Sequence, residues 1–237
     1  MMEKMKRTLL VALMVLSSAM LSAKTLVVYY SYTNHVKELV DELSTMVDVD
    51  VVRIEPTDKS GGYELNNYAK GTQLLNAIKA APDDINSYPG IEPTNINWTD
   101  YDRVIIGTPL WWSQMAAVTQ TFLFLNRDVL ATKQLYLMVS SYSSSISGVE
   151  ADARRLVPGG NFVSPSLWVN NASHNNRHDL VSQWVSEVHL DQTTAISLPT
   201  TTKGSVATEV YDLAGRKVAK VGKGIYIVNG KKVAIGK

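Results

Sequence analysis

The chain has 237 residues, 45% of them hydrophobic, enough for one well-filled domain with a smaller appendage. Its 23 Lys and Arg nearly balance 22 Asp and Glu, yet residues 24–202 hold 12 basic against 19 acidic side chains and residues 203–237 hold 8 against 2. An acidic body argues against nucleic acid as a partner, and the absence of cysteine excludes disulfide staples and a lipid-modified cysteine.

In chain order, Lys4, Lys6 and Arg7 precede the apolar run Leu9 to Met14, which passes through small residues to Ala23. This is the layout of a secretory signal, too short in its apolar part to span a bilayer. Residues 1–23 are therefore expected to be a signal peptide cut after Ala23, with a cut after Ala19 as the alternative. The mature protein is then expected in the periplasm, at the cell surface or secreted, without stable membrane insertion.

TLVVYY, from Thr25, reads as a strand buried on both faces, and KELVDEL as a helix with Leu39, Val40 and Leu43 inward. The loop between them holds Ser31, Thr33 and Asn34. At a helix start, free N–H groups, the positive dipole end and hydroxyl donors make an anion site that needs no Lys or Arg, and the expected anion is a phosphate. The same residue types are also ordinary helix caps, and the residues alone do not choose between these readings.

Val47 to Glu55 reads as a second strand and Tyr63 to Ala81 as a helix with Tyr68, Leu75 and Ile78 available for packing, ended by Pro82. RVIIG, from Arg103 to Gly107, is a third strand, TPLWWSQMAA its loop and VTQTFLFL a helix. QLYLMVSS, from Gln134 to Ser141, is a fourth strand, followed by the loop YSSSISG and a helix from Val149 to Leu156. A short fifth strand lies within Asn161 to Val169, around Leu167 to Val169. The last helix runs from His178 to Val188, with Leu180, Val181, Trp184 and Val188 inward. Alternating strands and helices give a doubly wound parallel sheet, an α/β class, with the three loops after strands on one edge, where such sheets take ligands.

Residues 191–204 read as a polar linker. Residues 205–237 read as a small β module of short apolar runs, with Asn229-Gly230 as its strongest hairpin signal.

Three of these stretches together resemble the flavodoxin-like family, of the short kind that binds flavin mononucleotide (FMN), over Thr25 to about Leu190. DYDRVIIGTPLWWSQMAAVTQTFL resembles the family's second flavin loop, with its Gly-x-Pro-x-Trp-Trp pattern. Ser31 to Val36 resembles the Ser-x-Thr-Gly-Asn-Thr phosphate motif, and Ser140 to Gly148 the flavin-edge loop. The resemblance implies a five-stranded sheet of order 2-1-3-4-5 over residues 24–190. Two positions depart from the motif. Asn34 stands for glycine and tolerates left-handed backbone angles better than most side-chain-bearing residues. Val36 stands for a hydroxyl residue, and losing one hydrogen bond to a charged group weakens binding by about 1.5–3 kcal/mol. The C-terminal module resembles the β tails of exported Bacteroidetes proteins, some of which are sorting signals; a plain stabilising hairpin is the equal alternative.

The resemblance further implies the site. Ser31, Thr33, Asn34, His35 and Val36 would hold the phosphate; Trp111 and Trp112 would form one wall of the ring site and Tyr142 the other. Two consecutive Trp side chains point in different directions, so one packs inward and Trp112 faces the flavin. The backbone of Thr108, Pro109, Leu110, Ser140 and Ser141 would meet the ring, Thr108 would also approach the ribityl chain, and Ser143 lies in the edge loop. Ser143 to Ser145 read equally as a solvated loop. His174 and His178 lack a third ligand for a metal, and no Gly-x-Ser-x-Gly elbow supports hydrolysis. Electron transfer through FMN, with a redox partner protein or a small-molecule acceptor, is the expected function. An FMN-dependent NAD(P)H:quinone-type reductase, or a surface binding protein that has lost the cofactor, are the alternatives.

Overall fold

A computed structural model describes residues 24–60, 65–191, 210–211, 218, 224–228 and 231–235. The expected signal segment 1–23, the linker from residue 192 on, the first residues of the second helix and the side chain of Tyr68 lie outside the described residues. The chain divides into two compact units, residues 1–195 and 196–237.

In the first unit, β1 (Lys24–Tyr29), β2 (Val49–Arg53), β3 (Tyr101–Trp111), β5 (Gln134–Ser141) and β6 (Asn161–Phe162) follow one another in the order β2-β1-β3-β5-β6. These pairings are parallel. This is the 2-1-3-4-5 arrangement in which the third strand leaves β1 on the side opposite β2. The expected fifth strand is broken in two, because β7 (Leu167–Asn170) pairs with the far end of β5, Met138 to Ser141, while β6 takes Gln134 and Leu135.

Side chains alternate across a strand, so each strand feeds both faces. Leu26, Val28, Tyr30, Val104, Ile106, Leu135 and Leu137 meet α2 (Leu65–Ala80), α3 (Ala117–Leu130) and α4 (Ser147–Leu156) on one side. Val27, Tyr29, Ile105, Tyr136 and Met138 meet α1 (His35–Ser44) and α5 (Arg177–Glu187) on the other. The period of three and four in α1 puts Val36, Leu39, Val40 and Leu43 on its buried face. In α2, Leu75 and Ile78 are buried, and in α5, Val181, Trp184 and Val185. Crossovers therefore cover one face before the reversal between β1 and β3 and switch face across it, which places a crevice at the carboxyl ends of those two strands.

One loop is built differently from its sequence reading. β3 continues through Pro109 to Trp111 and turns back into β4 (Gln114–Met115), with Leu110 opposite Met115 and Trp111 opposite Gln114. Residues Thr108 to Trp111 belong to a strand and a tight hairpin, with Trp112 and Ser113 as the two turn residues at φ 50° and 62°. Such two-residue turns require positive φ at both positions, for which the usual signal is Asn-Gly; Trp-Ser carries no such signal.

In the second unit, β8 (Val210–Tyr211), β9 (Gly224–Val228) and β10 (Lys231–Ile235) form an antiparallel sheet of order β10-β9-β8. Val228 pairs with Lys231, the register a two-residue connection demands. Among the described residues no helix is long and apolar enough to cross a membrane.

Candidate functional site

A cavity of about 520 Å³ opens at the carboxyl edge of the sheet. Stretches at the carboxyl ends of β1, β3 and β5 line it: Ser31, Thr33, His35 and Val36 after β1, Pro109 to Trp112 in the β3–β4 hairpin, and Ser140 to Tyr142 at the end of β5 and the start of its loop. Eleven of the fourteen residues expected from sequence thus meet at one site. Its volume falls in the range of about 300–1,000 Å³ typical of small-molecule sites.

The first loop is shaped by backbone. Asn34 holds φ 68°, the left-handed conformation that its replacement of glycine demands, and makes no side-chain cap. Ser31, almost fully buried, accepts a hydrogen bond at Oγ from the Lys37 N–H at 3.2 Å and so closes one orphan donor of α1. The N–H groups of His35 and Val36 have no acceptor among the described residues, and the positive end of the α1 dipole lies there. Val36 is 1% exposed, with its methyl group packed where a side chain at Gly107 would come within 3.1 Å.

The histidine of this loop has company. The His35 and His174 rings stack with centroids 4.4 Å apart and an angle of 36°. His174 donates from Nε2 to Oε2 of Glu38 at 2.7 Å. That bond holds the Glu38 carboxyl below its ordinary pKa. The buried Nδ1 of His174 has no partner among the described residues.

The second loop is pinned through both backbone groups of Met115. Met115 N–H donates to Oδ2 of Asp152 at 3.0 Å, and Met115 O accepts from Nε2 of Gln120 at 2.8 Å. Arg155 joins these two side chains, donating to Oε1 of Gln120 at 2.8 Å and to Oδ1 of Asp152 at 3.1 Å. At the turn itself, the carbonyl of Ser113 lies against Gly148, where a Cβ would fall within 1.9 Å; only glycine fits. Trp111 points inward, edge-on to Tyr30 at 5.9 Å and against Gly71. Trp112 points outward and is 57% exposed while lining the cavity. Tyr142, on the third loop, is 81% exposed. That loop is tied by the Ser141 hydroxyl, which accepts from the Trp168 indole and donates to Ser144 O, both at 2.9 Å. The Tyr142 carbonyl accepts from the Asn171 N–H at 3.2 Å.

Three expected residues stand apart. Thr108 does not approach the cavity: it is fully buried, 3.0 Å from the Thr119 hydroxyl, because strand β3 runs past it. Asn34 contributes backbone geometry rather than lining, and Ser143 gives way to Ser144, the next residue of the same loop. Sequence reasoning missed Tyr32, Gly71 and Asn171. Tyr32 sits inside the motif itself. Gly71 comes from a helix and Asn171 from the loop after β7, and no local signal marks either.

A family model described as flavodoxin matches residues 24–188. The chain is similar to the crystal structure of a candidate flavoprotein from Bacteroides uniformis, at 26% identity and TM-score 0.56, over 70% of this chain and 99% of that one. A candidate flavoprotein from Bacteroides eggerthii matches at 23% identity and TM-score 0.56, over 70% and 98%. A flavoprotein from Lactobacillus acidophilus, crystallised in complex with FMN, matches at 19% identity and TM-score 0.52, over 65% and 97%.

Proposed function

Because this chain belongs to the flavodoxin family, we propose that it binds FMN in the rim cavity and acts in electron transfer outside the cytoplasm. The observation that carries this reading is the meeting of a donor-rich helix start and two outward aromatic side chains, Trp112 and Tyr142, around one cavity. The residues present fit the group. The unpaired N–H groups of His35 and Val36 suit a phosphate. Trp112 and Tyr142 offer flat apolar surface, worth about 0.5–1.5 kcal/mol per stacked pair beyond buried area. The FMN complex of the Lactobacillus protein supports the same identification.

When bound, the flavin supplies the redox chemistry itself. The protein's task is to seat the phosphate on α1, orient the ring between two aromatic walls and limit water around it. No side-chain acid or base is needed for that work. The basic start and apolar run of residues 1–23 support export, and the short β strands after residue 204 support a sorting role for the tail. Partners in this reading are a redox protein or a small-molecule acceptor.

Titrating the purified chain with FMN tests the proposal. One-to-one quenching of flavin fluorescence is expected, and a protein that leaves the fluorescence untouched ends it. The exposure of both walls favours one further reading, in which a ring at this open rim meets a small acceptor directly and the protein is an NAD(P)H:quinone-type reductase. Steady-state oxidation of NADH or NADPH with a quinone separates the two.

A further inference from the structure

We propose that His35 is the charged partner of the FMN phosphate, so that the cavity takes up a proton with FMN and separates FMN from riboflavin far more strongly below neutral pH than above it. The inference rests on the FMN reading and adds to it a residue that decides which flavin is kept.

Among the described residues the cavity lining contains no Lys or Arg. A phosphate seated at the start of α1 would therefore have backbone donors and hydroxyls from the lining, while the Arg53 guanidinium of β2 stands outside it, donating to the Ser31 carbonyl at 2.9 Å and paired with Glu55 at 2.8 Å. The hydroxyl usual at position 36 is replaced by Val36, which is 1% exposed and donates nothing from its side chain. Among the described residues, the one lining side chain able to become a cation is His35. Imidazole titrates in the range where small changes in surroundings decide its charge, and a phosphate dianion beside it favours the protonated form.

The surroundings of His35 are arranged for this. On its own helix, Glu38 lies one turn on, and a bare carboxylate there would repel a phosphate. His174 engages that carboxylate through its 2.7 Å hydrogen bond, and the Arg177 guanidinium lies 3.7 Å from the same oxygen. Glu42, a further turn along α1, is faced by Arg177 at 3.5 Å and His178 at 3.0 Å. Lys37 is turned to Asp41 at 2.6 Å. Both carboxylates that could compete for His35 are thus engaged from the loop after β7 and from α5. The His174 ring, 9% exposed, also backs the His35 ring at a centroid distance of 4.4 Å and a tilt of 36°, restricting its plane. His174 acts through His35 and is a positioning residue.

The sign follows directly. When His35 gives up its proton at higher pH, the phosphate loses its charged partner and FMN affinity falls. Riboflavin lacks the phosphate, so its affinity stays level. A hydrogen bond to a charged group is worth about ten- to a hundredfold in affinity. The phosphate's own second ionisation, near pH 6, affects every variant alike.

The experiment measures dissociation constants of the full chain for FMN and for riboflavin by flavin fluorescence between pH 6.5 and 8.5. In the unaltered protein the preference for FMN over riboflavin is expected to fall at least tenfold across that interval. In H35N, and independently in H35Q, the preference is expected to be flat, with a far-UV circular dichroism spectrum matching the unaltered protein as the control for folding. A flat preference in the unaltered protein overturns the inference, as does an equal slope in both variants. Binding of FMN with no such slope leaves the FMN reading intact; binding of neither flavin removes both.

Discussion

The hairpin that carries Trp112 and the loop that carries Tyr142 face the same cavity from structures of unequal strength. The hairpin is tied through both backbone groups of Met115 to Asp152 and Gln120, which Arg155 joins, and its turn rests on a glycine of α4. The serine loop depends on one hydroxyl, Ser141, and one backbone bond to Tyr142 O. Backbone tied by a charge-assisted network is held in position whatever side chain sits at the tip, whereas a loop tied by one hydroxyl follows its ligand. One wall is a fixed surface and the other is an adjustable one.

The largest effect that would break this contrast is at Gly148. Alanine there drives a methyl group into the Ser113 carbonyl, and such overpacking costs about 1–3 kcal/mol. Urea unfolding of Gly148→Ala is expected to give that loss; an unchanged midpoint would show that the hairpin does not rest on α4. Asp152→Ala leaves the Met115 N–H without its acceptor and Arg155 without its carboxylate. Its expected cost is about 2 kcal/mol, with Asp152→Asn recovering part of it by keeping an acceptor oxygen. Ser141→Ala, which strips the Trp168 indole of its partner, is expected to cost about 1 kcal/mol by the same measurement.

Smaller still are the changes at the tips. Trp112→Ala is expected to weaken FMN by about 0.5–1.5 kcal/mol and Tyr142→Ala by less, because the fixed wall retains its contact while the adjustable one moves. Equal losses in a fluorescence titration would erase the distinction. The smallest effect concerns pH. Glu38 is held below its ordinary pKa by His174, so its contribution is present above the unfolded-state pKa and is lost as pH falls through the lower folded value. Acid unfolding of Glu38→Gln is expected to lack that component, and an acid limb identical to that of the unaltered protein would show that the pair contributes nothing.

Much of this architecture was legible because burial on both faces writes itself as continuous apolar runs. TLVVYY, RVIIG and QLYLMVSS are strands for that reason, and the helix faces of α1 and α5 follow from their spacing. The site was legible where it is local, in the loops directly after strands. It was illegible where tertiary contact decides. Thr108 looks like a loop donor, yet β3 outlasts its apolar run, because pairing with β5 continues to Pro109 and pairing with β4 beyond it. Gly71 and Asn171 reach the cavity from elements far along the chain, and their neighbours in sequence give no hint of it. The split of the last strand into β6 and β7 is a pairing fact, set by where β5 still offers free edge.

The turn of the hairpin holds two left-handed residues without a glycine, Trp112 and Ser113. A side chain in that conformation costs on the order of 1 kcal/mol or more. Glycine at position 112 would relieve that cost and would remove the indole from the cavity. Recognition and foldability therefore compete at a single residue, and Trp112→Gly should yield a tougher but flavin-poor protein.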